Sequence, residues 1–164
     1  MHIELRRTRS GDARAVAEVF LAAVADAMPY LPALHTDDET RVWLREVVLT
    51  RHEVVVAEVG GRLVGFASLD ADTLAHLYVY PDLQRRGIGD ALLARAKELR
   101  PEGFRLWIFE RNTDARRFYE RRGFRLLELT DGRGNEEHEP DALYEWRPTL
   151  SPRRPASGQP RDRP

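Results

Sequence analysis

The segment between residues 80 and 89 limits the folds available to this chain more than any other. An apolar run, Thr73 to Tyr80, has the composition of a β-strand and stops at Pro81. A short turn follows, and a helical pattern begins at Gly87 or Ile88. A helix start that contains glycine exposes unpaired backbone amides and the positive end of the helix dipole, so this turn can hold a phosphate group.

The residues of the turn are Gln84-Arg85-Arg86-Gly87-Ile88-Gly89, and they do not match the two commonest phosphate motifs. A nucleotide P-loop requires a lysine after the glycines, and none follows here. A dinucleotide-binding fold requires a third glycine within a βαβ unit, whereas this helix continues as Asp90-Ala91-Leu92. The two arginines add positive charge beside the amides. A plain helix start whose glycines only serve the turn remains the alternative.

Local signals predict where other helices and strands begin and end. Thr36, followed three residues later by Glu39, forms a capping box, so a second helix should start here and run to about Leu49. The dipeptide Gly60-Gly61 suits a two-residue hairpin turn between two strand-like runs. Gly123 is placed as a left-handed helix cap. Together the patterns predict the order β-α-α-β-β-β-α-β-α-β-β.

Two further stretches bear on the layout of the domain. The run Phe104 to Glu110 has little polarity, which predicts a central strand buried on both faces. From Pro148 onward Pro, Arg, Ser and Gly dominate and no apolar spacing survives, so residues 148–164 are predicted to form a disordered tail. Residues 1–147 remain as a single domain, long enough to bury a core.

Composition excludes several classes of protein. The chain has no cysteine, which rules out disulfides and thiolate metal sites, and no carboxylate spacing in it predicts a metal site. It lacks an apolar run of roughly 20 residues and an apolar signal sequence, so we expect a cytoplasmic protein without a membrane partner. The 26 basic and 27 acidic residues nearly balance, but four arginines and only one acid follow residue 147. The body is therefore mildly acidic, which argues against nucleic acid as a partner.

Two blocks of sequence resemble the GNAT superfamily of N-acetyltransferases. The first, Leu77-Tyr78-Val79-Tyr80-Pro81 followed by the Gln84 to Gly89 turn and Ala91-Leu92-Leu93, is similar to the family's acetyl-CoA-binding segment, Gln/Arg-x-x-Gly-x-Gly/Ala. The second, Asn112 to Phe124, is similar to Asn-x-x-Ala-x-x-(Leu/Phe)-Tyr-x-x-x-Gly-Phe. The resemblance implies an α/β fold of the GNAT type. Its central sheet is twisted and mostly antiparallel, with about seven strands and helices on both faces.

The resemblance also assigns roles in binding acetyl-CoA as the cosubstrate. Amides of a strand that splays from its neighbour would bond the pantetheine and the thioester carbonyl, which polarises that carbonyl. These strand residues are Leu77, Tyr78 and Val79. The residues assigned to the pyrophosphate are Gln84, Arg85, Arg86, Gly87, Ile88, Gly89 and Asp90. Those assigned to the pantetheine arm are Asn112, Ala115 and Phe118. Asn112 could instead, or as well, cap the helix that it precedes.

Tyr119 matches the family's tyrosine that protonates the departing CoA thiolate, although it could instead be a core aromatic of an amphipathic helix. The base is harder to assign. Some relatives place a glutamate where Trp107 stands, and an indole cannot accept a proton. His76 is the next candidate for the base, against a purely structural role.

Two loops carry the predictions for the acceptor. The first supplies Tyr30 and His35, and the second, acidic loop from Asp131 to Asp141 supplies Glu136 and Glu137. Their carboxylates can hold a cationic amine, or they can simply pair with the protein's own arginines. The expected reaction is acetyl transfer to a primary amine of a small molecule or peptide, and the motifs also fit a longer acyl group. A non-catalytic acyl-CoA-binding or sensing module is the alternative. The resemblance is compatible with a homodimer, since dimers are common among GNAT-like proteins, but no sequence feature indicates an interface.

Overall fold

The structure is a computed structural model that describes residues 1–149. Within these residues seven strands form one sheet. The strands are β1 (Glu4–Arg7), β2 (Glu53–Val59), β3 (Arg62–Asp70), β4 (Thr73–Val79), β5 (Phe104–Phe109), β6 (Arg125–Leu129) and β7 (Asp141–Trp146). The helices are α1 (Ala13–Ala27), α2 (Asp37–Trp43), α3 (Leu49–Arg51), α4 (Ile88–Leu99) and α5 (Thr113–Glu120). A π-helical turn (Leu44–Val48) joins α2 to α3, and a 3₁₀ turn (Pro81–Leu83) follows β4.

The sheet order is β1-β2-β3-β4-β5-β7-β6, and every neighbouring pair is antiparallel except β4 and β5. Apolar cores cover both of its faces. On one face α4 buries Ile88 and Leu92, and on the other α1 buries Val16 and Val19 beside Phe66 of β3. The predicted fold class, a mostly antiparallel sheet between helices, is confirmed. Of the predicted tail, residues 150–164 lie outside the described residues.

Several local predictions are confirmed in detail. The Glu39 amide donates to the Thr36 hydroxyl over 3.1 Å and the Thr36 amide donates to the Glu39 carboxylate over 2.9 Å, which completes the capping box. Gly60 and Gly61 take positive φ angles of 58° and 77° in the hairpin between β2 and β3, as a type I′ turn requires. Gly123 has a φ of 86° just after α5, in the left-handed conformation predicted for it.

Two local predictions need correction. β5 is not buried on both faces, because its side chains alternate and Trp107 is 50% exposed. The reason is that α1 packs over β3 and β4 rather than over β5, so the face that carries Trp107 stays open. The second helical stretch continues past Leu49 to Arg51, and it contains the π turn that no sequence signal predicted.

The only parallel pair in the described sheet, β4 and β5, positions the site. The two strands share one register pair, Thr73 with Arg105, beside a bond from the Arg105 amide to the Asp72 carbonyl. Beyond this point they diverge. On the side that faces β5, the rest of β4 toward Val79 therefore has backbone amides and carbonyls that are not hydrogen-bonded to β5. The splay that the family resemblance implies is thus present, and it opens a cleft in the middle of the sheet.

Candidate active site

The cleft lies between the diverging halves of β4 and β5, with α5 beside it. It brings together six of the residues that the sequence singled out, which are His76, Leu77, Tyr78, Asn112, Ala115 and Tyr119. It also contains residues to which the sequence gave no role in the site, among them Met28, Trp107 and Phe109. Met28 and Phe109 come from the ends of α1 and β5, and their place could not be found without the three-dimensional path of the chain.

The turn before α4 has the backbone of an anion site. Arg85 and Gly87 have positive φ angles of 61° and 86° on either side of Arg86, and such alternation can turn successive amides to one side. No side chain caps α4 within residues 1–149, so its first amides remain available to a ligand. A Cβ added at Gly87 would meet no atom within 4 Å, which leaves the backbone open to close approach.

Gly89 sits beneath an aromatic ring. A Cβ there would be in van der Waals contact with Cζ of Phe118, 3.4 Å away, so α5 packs directly against the start of α4. The guanidinium of Arg122 stacks on the same Phe118 ring, 3.8 Å from its centre. It also forms an ion pair with Asp90. The hydrogen bond from Arg122 lowers the pKa of the Asp90 carboxyl. The side chain of Asp90 is therefore engaged by the protein itself, and only its amide is left for a ligand.

Two other side chains that the sequence assigned to the cosubstrate have hydrogen-bond partners within the protein. The side-chain amide of Gln84 donates from Nε2 to the Val79 carbonyl over 3.3 Å and connects the turn to the end of β4. The Asn112 side chain accepts from the Ala115 amide over 3.3 Å and so caps α5, as its position in the second block suggested. Both side chains thus hold the backbone that borders the cleft.

Tyr119 is buried, with 8% of its surface exposed, and it lines the cleft. Its hydroxyl has no hydrogen-bond partner in the protein within residues 1–149. Burial, and then the neighbouring Tyr78, raise the pKa of the Tyr119 phenol well above its usual value. The phenol is therefore protonated throughout the physiological pH range, and it is able to donate a hydrogen bond or a proton into the cleft.

His76 faces the α1 side of the sheet because of a β-bulge. Ser68 pairs with His76 but Leu69 pairs with Leu74, which leaves Ala75 as the extra residue. The His76 ring lies 5.7 Å from that of Phe20 in α1. Burial, and then His52, lower the pKa of His76 to about 4. The imidazole is thus neutral at neutral pH.

The two predicted acceptor loops meet at one end of the cleft. His35 Nε2 lies 2.7 Å from Oε1 of Glu136, and the Arg111 guanidinium lies 4.1 Å from the centre of the Tyr30 ring. Arg111 also pairs with Glu139 over 3.2 Å. Part of the acidic loop is therefore neutralised by the protein's own cations, which was the alternative interpretation of its charges.

Two polar groups near this end remain without protein partners. The Tyr30 hydroxyl is buried and has no hydrogen-bond partner in residues 1–149. Glu137 makes no ion pair within the same residues. Burial raises the pKa of Tyr78 to about 12, and the nearby Glu137 and Tyr30 contribute to that increase. A ligand that reached this end would therefore meet one unpaired carboxylate and buried phenols.

Residues 1–149 contain no group of three or more histidine, aspartate or glutamate side chains that could hold a metal ion. None of the helices in the described part of the chain is long and apolar enough to cross a membrane.

Comparisons with known proteins agree with this geometry. Residues 50–126, which include β2 to β5 and both sequence blocks, match a family model described as an acetyltransferase (GNAT) domain. Peptidyl-lysine N-acetyltransferase YiaC of Escherichia coli is 28% identical over 125 residues, which cover 76% of this chain and 84% of the relative. The L-amino acid N-acyltransferase MnaT of Escherichia coli is 30% identical over 103 residues, which cover 57% of this chain and 60% of MnaT.

Among solved structures, the PaiA N-acetyltransferase from Thermoplasma acidophilum, in complex with coenzyme A, has the same fold. It is 22% identical, with a TM-score of 0.70 over 90% of this chain and 99% of that protein. The likeness in fold covers 90% of this chain, whereas the family model matches residues 50–126.

Proposed function

Because the chain belongs to the GNAT superfamily of acetyl-CoA-dependent N-acetyltransferases, we propose that it transfers the acetyl group to a primary amine by direct attack, with Tyr119 as the general acid. The observation that carries the proposal is the cleft itself. It joins the unpaired edge of β4 and the buried phenol of Tyr119, and the uncapped start of α4 lies beside it, since a Cβ at Gly89 would lie 4.0 Å from Cδ2 of Leu77. These features can hold the cosubstrate, polarise its thioester carbonyl and protonate the leaving thiolate.

The residues present fit the cosubstrate. The first amides of α4 and the open backbone at Gly87 would hold the pyrophosphate, with Arg85 and Arg86 adding positive charge. The strand amides from Leu77 to Val79 would bond the pantetheine arm and the thioester carbonyl. A carbonyl oxygen that gains negative charge during attack is stabilised most by donors already held in place.

The proposed chemistry conserves protons. The amine nitrogen forms a bond to the acetyl carbon, the carbon–sulfur bond breaks, and the thiolate takes a proton from the Tyr119 hydroxyl. A thiol with a pKa of about 8.5 is a good leaving group, so the phenol needs to donate its proton only as the carbon–sulfur bond breaks. Burial makes tyrosinate unfavourable in this cleft. Tyr119 must therefore regain a proton in the same turnover, and the proton lost by the amine balances it.

The acceptor is proposed to enter between the two loops that meet near Tyr30. The unpaired carboxylate of Glu137 favours a positively charged or hydrogen-bonding amine there. The names of two relatives suggest candidates, since YiaC acts on peptidyl-lysine and MnaT on L-amino acids. We propose an amine of one of these kinds, a lysine side chain in a peptide or a small amino compound.

One observation favours the alternative, a protein that binds acyl-CoA without turnover. The position where some relatives carry a glutamate is Trp107, and His76 has a pKa of only about 4. A base that holds a proton so weakly is a poor acceptor by itself.

Two measurements test these proposals. Calorimetry with coenzyme A measures binding, and absence of binding at millimolar concentration would contradict both. Release of free thiol from acetyl-CoA, measured over a panel of lysine peptides, amino acids and polyamines, separates the two. Enzymatic transfer predicts amine-dependent thiol release above the enzyme-free rate, whereas a sensing module predicts binding alone.

A further inference from the structure

A series of polar side chains leads from the cleft to the surface. The hydroxyl of Ser68 lies 2.7 Å from Nδ1 of His76 and 3.3 Å from Nδ1 of His52. Nε2 of His52 lies 3.7 Å from Oδ2 of Asp70, whose side chain is 64% exposed. His76 lines the cleft at the other end. The four side chains therefore connect the cleft with solvent through the interior of the sheet.

The position of Ser68 is unusual for a polar residue. It is completely buried, and Glu145 is the only other buried polar or charged residue within residues 1–149. A buried hydroxyl is unfavourable unless it is hydrogen-bonded, and here both of its neighbours are imidazoles. The β-bulge at Ala75 makes this possible, because it places His76 directly across from Ser68.

The exposed end of the series sets the direction of its hydrogen bonds. The negative charge of the Asp70 carboxylate, 3.7 Å from Nε2 of His52 and so beyond hydrogen-bond distance, favours the tautomer of His52 that carries its proton on Nε2. Nδ1 of His52 then accepts from the Ser68 hydroxyl. Ser68 has one proton to donate, so its oxygen accepts the proton carried by Nδ1 of His76. Nε2 of His76, for which no protein partner exists in residues 1–149, is left with an unshared electron pair.

We propose that His76, Ser68 and His52 form a proton relay, which rests on the proposed function and supplies its missing base. The amine nitrogen releases its proton to Nε2 of His76 once the bond to the acetyl carbon forms. Nδ1 of His76 passes its own proton to Ser68, Ser68 passes its proton to Nδ1 of His52, and Nε2 of His52 releases one proton to the water beside Asp70. Solvent returns one proton to Tyr119, so the proton that the amine loses is balanced over the turnover. After the transfer His76 carries its proton on Nε2 and His52 carries its proton on Nδ1. Both imidazoles must then return to their original tautomers before the next turnover.

A relay explains how so weak a base can serve the reaction. An isolated imidazole in this position would have to store the proton, which burial opposes, whereas a relay removes it within the same step. The titratable groups that face His76 are His52 on one side and Tyr78 on the other. The remaining rings packed against it, from Phe20, Trp43 and Phe66, do not titrate.

The first test needs no substrate. Nitrogen-15 spectra of the wild-type protein report the tautomer of each imidazole, and the relay predicts the proton on Nδ1 of His76 and on Nε2 of His52. Ser68→Ala should remove the bias at His76. A wild-type His76 with its proton on Nε2 would overturn the relay, whatever the activity of the protein.

The second test measures turnover. Ser68→Ala and His52→Ala should each lower kcat by about tenfold or more, without changing the affinity for coenzyme A in calorimetry. Ser68→Thr, which keeps the hydroxyl, should recover part of the rate. Because His52 lies near the surface, added imidazole should partly restore His52→Ala after subtraction of the enzyme-free rate. It should not restore Ser68→Ala, which keeps both histidines.

The outcomes separate the two proposals. Wild-type turnover numbers in Ser68→Ala and His52→Ala would overturn the relay and leave acetyl transfer intact. Wild-type protein that binds coenzyme A but releases no thiol with any amine would overturn acetyl transfer, and the relay with it.

Discussion

The two sides of the cleft offer a ligand different kinds of groups. On the donor side, which comprises β4, the turn at residues 84–89, α4 and α5, the groups are backbone amides held by regular structure. On the acceptor side, which comprises the loop after α1 and the loop between β6 and β7, they are side chains such as Tyr30 and Glu137. Amides at a helix start recognise any pyrophosphate, so the donor side suits one ligand shared by a whole superfamily.

Side chains on loops can change without disturbing the sheet, and the acceptor side is assembled in that way. His35 and Glu136 meet although 101 residues separate them in the chain. The contact joins two separate loops, one after α1 and one between β6 and β7. If the acceptor binds where we propose, the cosubstrate is fixed by the fold, whereas the acceptor is determined by a few replaceable contacts.

Tyr119→Phe should give the largest effect on the turnover rate, because this residue lines the cleft and is the proposed general acid. We expect kcat to fall by about 10²-fold or more, since general acid catalysis contributes that much, while the affinity for coenzyme A stays the same. Steady-state thiol release and calorimetry measure the two quantities.

The matched control is Tyr144→Phe. The Tyr144 hydroxyl accepts from Arg116 of α5 over 2.9 Å and lies outside the cleft, so its loss should lower stability but not kcat. Equal kcat in Tyr119→Phe and wild type would show that the phenol only packs, and the donor side would then act through its backbone alone.

The sequence predicted the backbone of the donor side well because its signals are local. The turn Gln84 to Gly89 and the caps at Asn112 and Gly123 each lie within a few residues of the structure that they specify. Local backbone preferences decide such features without reference to the rest of the chain.

The relay and the acceptor contacts could not be predicted in the same way. The facing of His76 depends on the bulge at Ala75, and one extra residue reverses which side chains share a face. The stacking of Arg111 on Tyr30 joins segments far apart in sequence. The open face at Trp107 depends on where α1 packs, and an apolar strand sequence contains no information about that.

Acid should weaken the fold at the point where the two sides meet. The pKa of His76 is about 4 in the folded protein and near 6.5 in an unfolded chain, so the unfolded state binds more protons between these values. Stability from this group is complete above pH 6.5 and falls by up to about 1.4 kcal/mol per pH unit toward pH 4. Urea unfolding of wild type and His76→Gln at pH 7 and pH 5 isolates this contribution, since other groups titrate alike in both. A wild-type protein that loses no more stability than the variant would contradict the assigned burial of the ring.

Gly89→Val should damage the donor side alone. A Cβ at this position would be in van der Waals contact with the Phe118 ring, 3.4 Å away, so the two methyl groups of valine, which extend beyond the Cβ, would crowd the contact between α4 and α5 at the turn. We expect the Kd for coenzyme A to rise by about tenfold, or about 1.4 kcal/mol. Gly134→Val is the control, because a Cβ there meets no atom within 4 Å. Unchanged affinity in Gly89→Val would mean that the turn does not hold the cosubstrate.

His35→Ala should have the smallest effect and should act on the acceptor side alone. The His35 and Glu136 side chains are each more than half exposed, so their pairing contributes at most about 1 kcal/mol. Loss of the pair frees the two loops, and we expect the KM for the amine to change by a few fold while the Kd for coenzyme A stays the same. Arg41→Ala is the control, since it removes exposed ion pairs to Asp38 and Glu18 away from the loop contact. If His35→Ala changed the affinity for coenzyme A instead, the two sides would be coupled, because loosening the loops would then disturb amides that belong to β4 and α4.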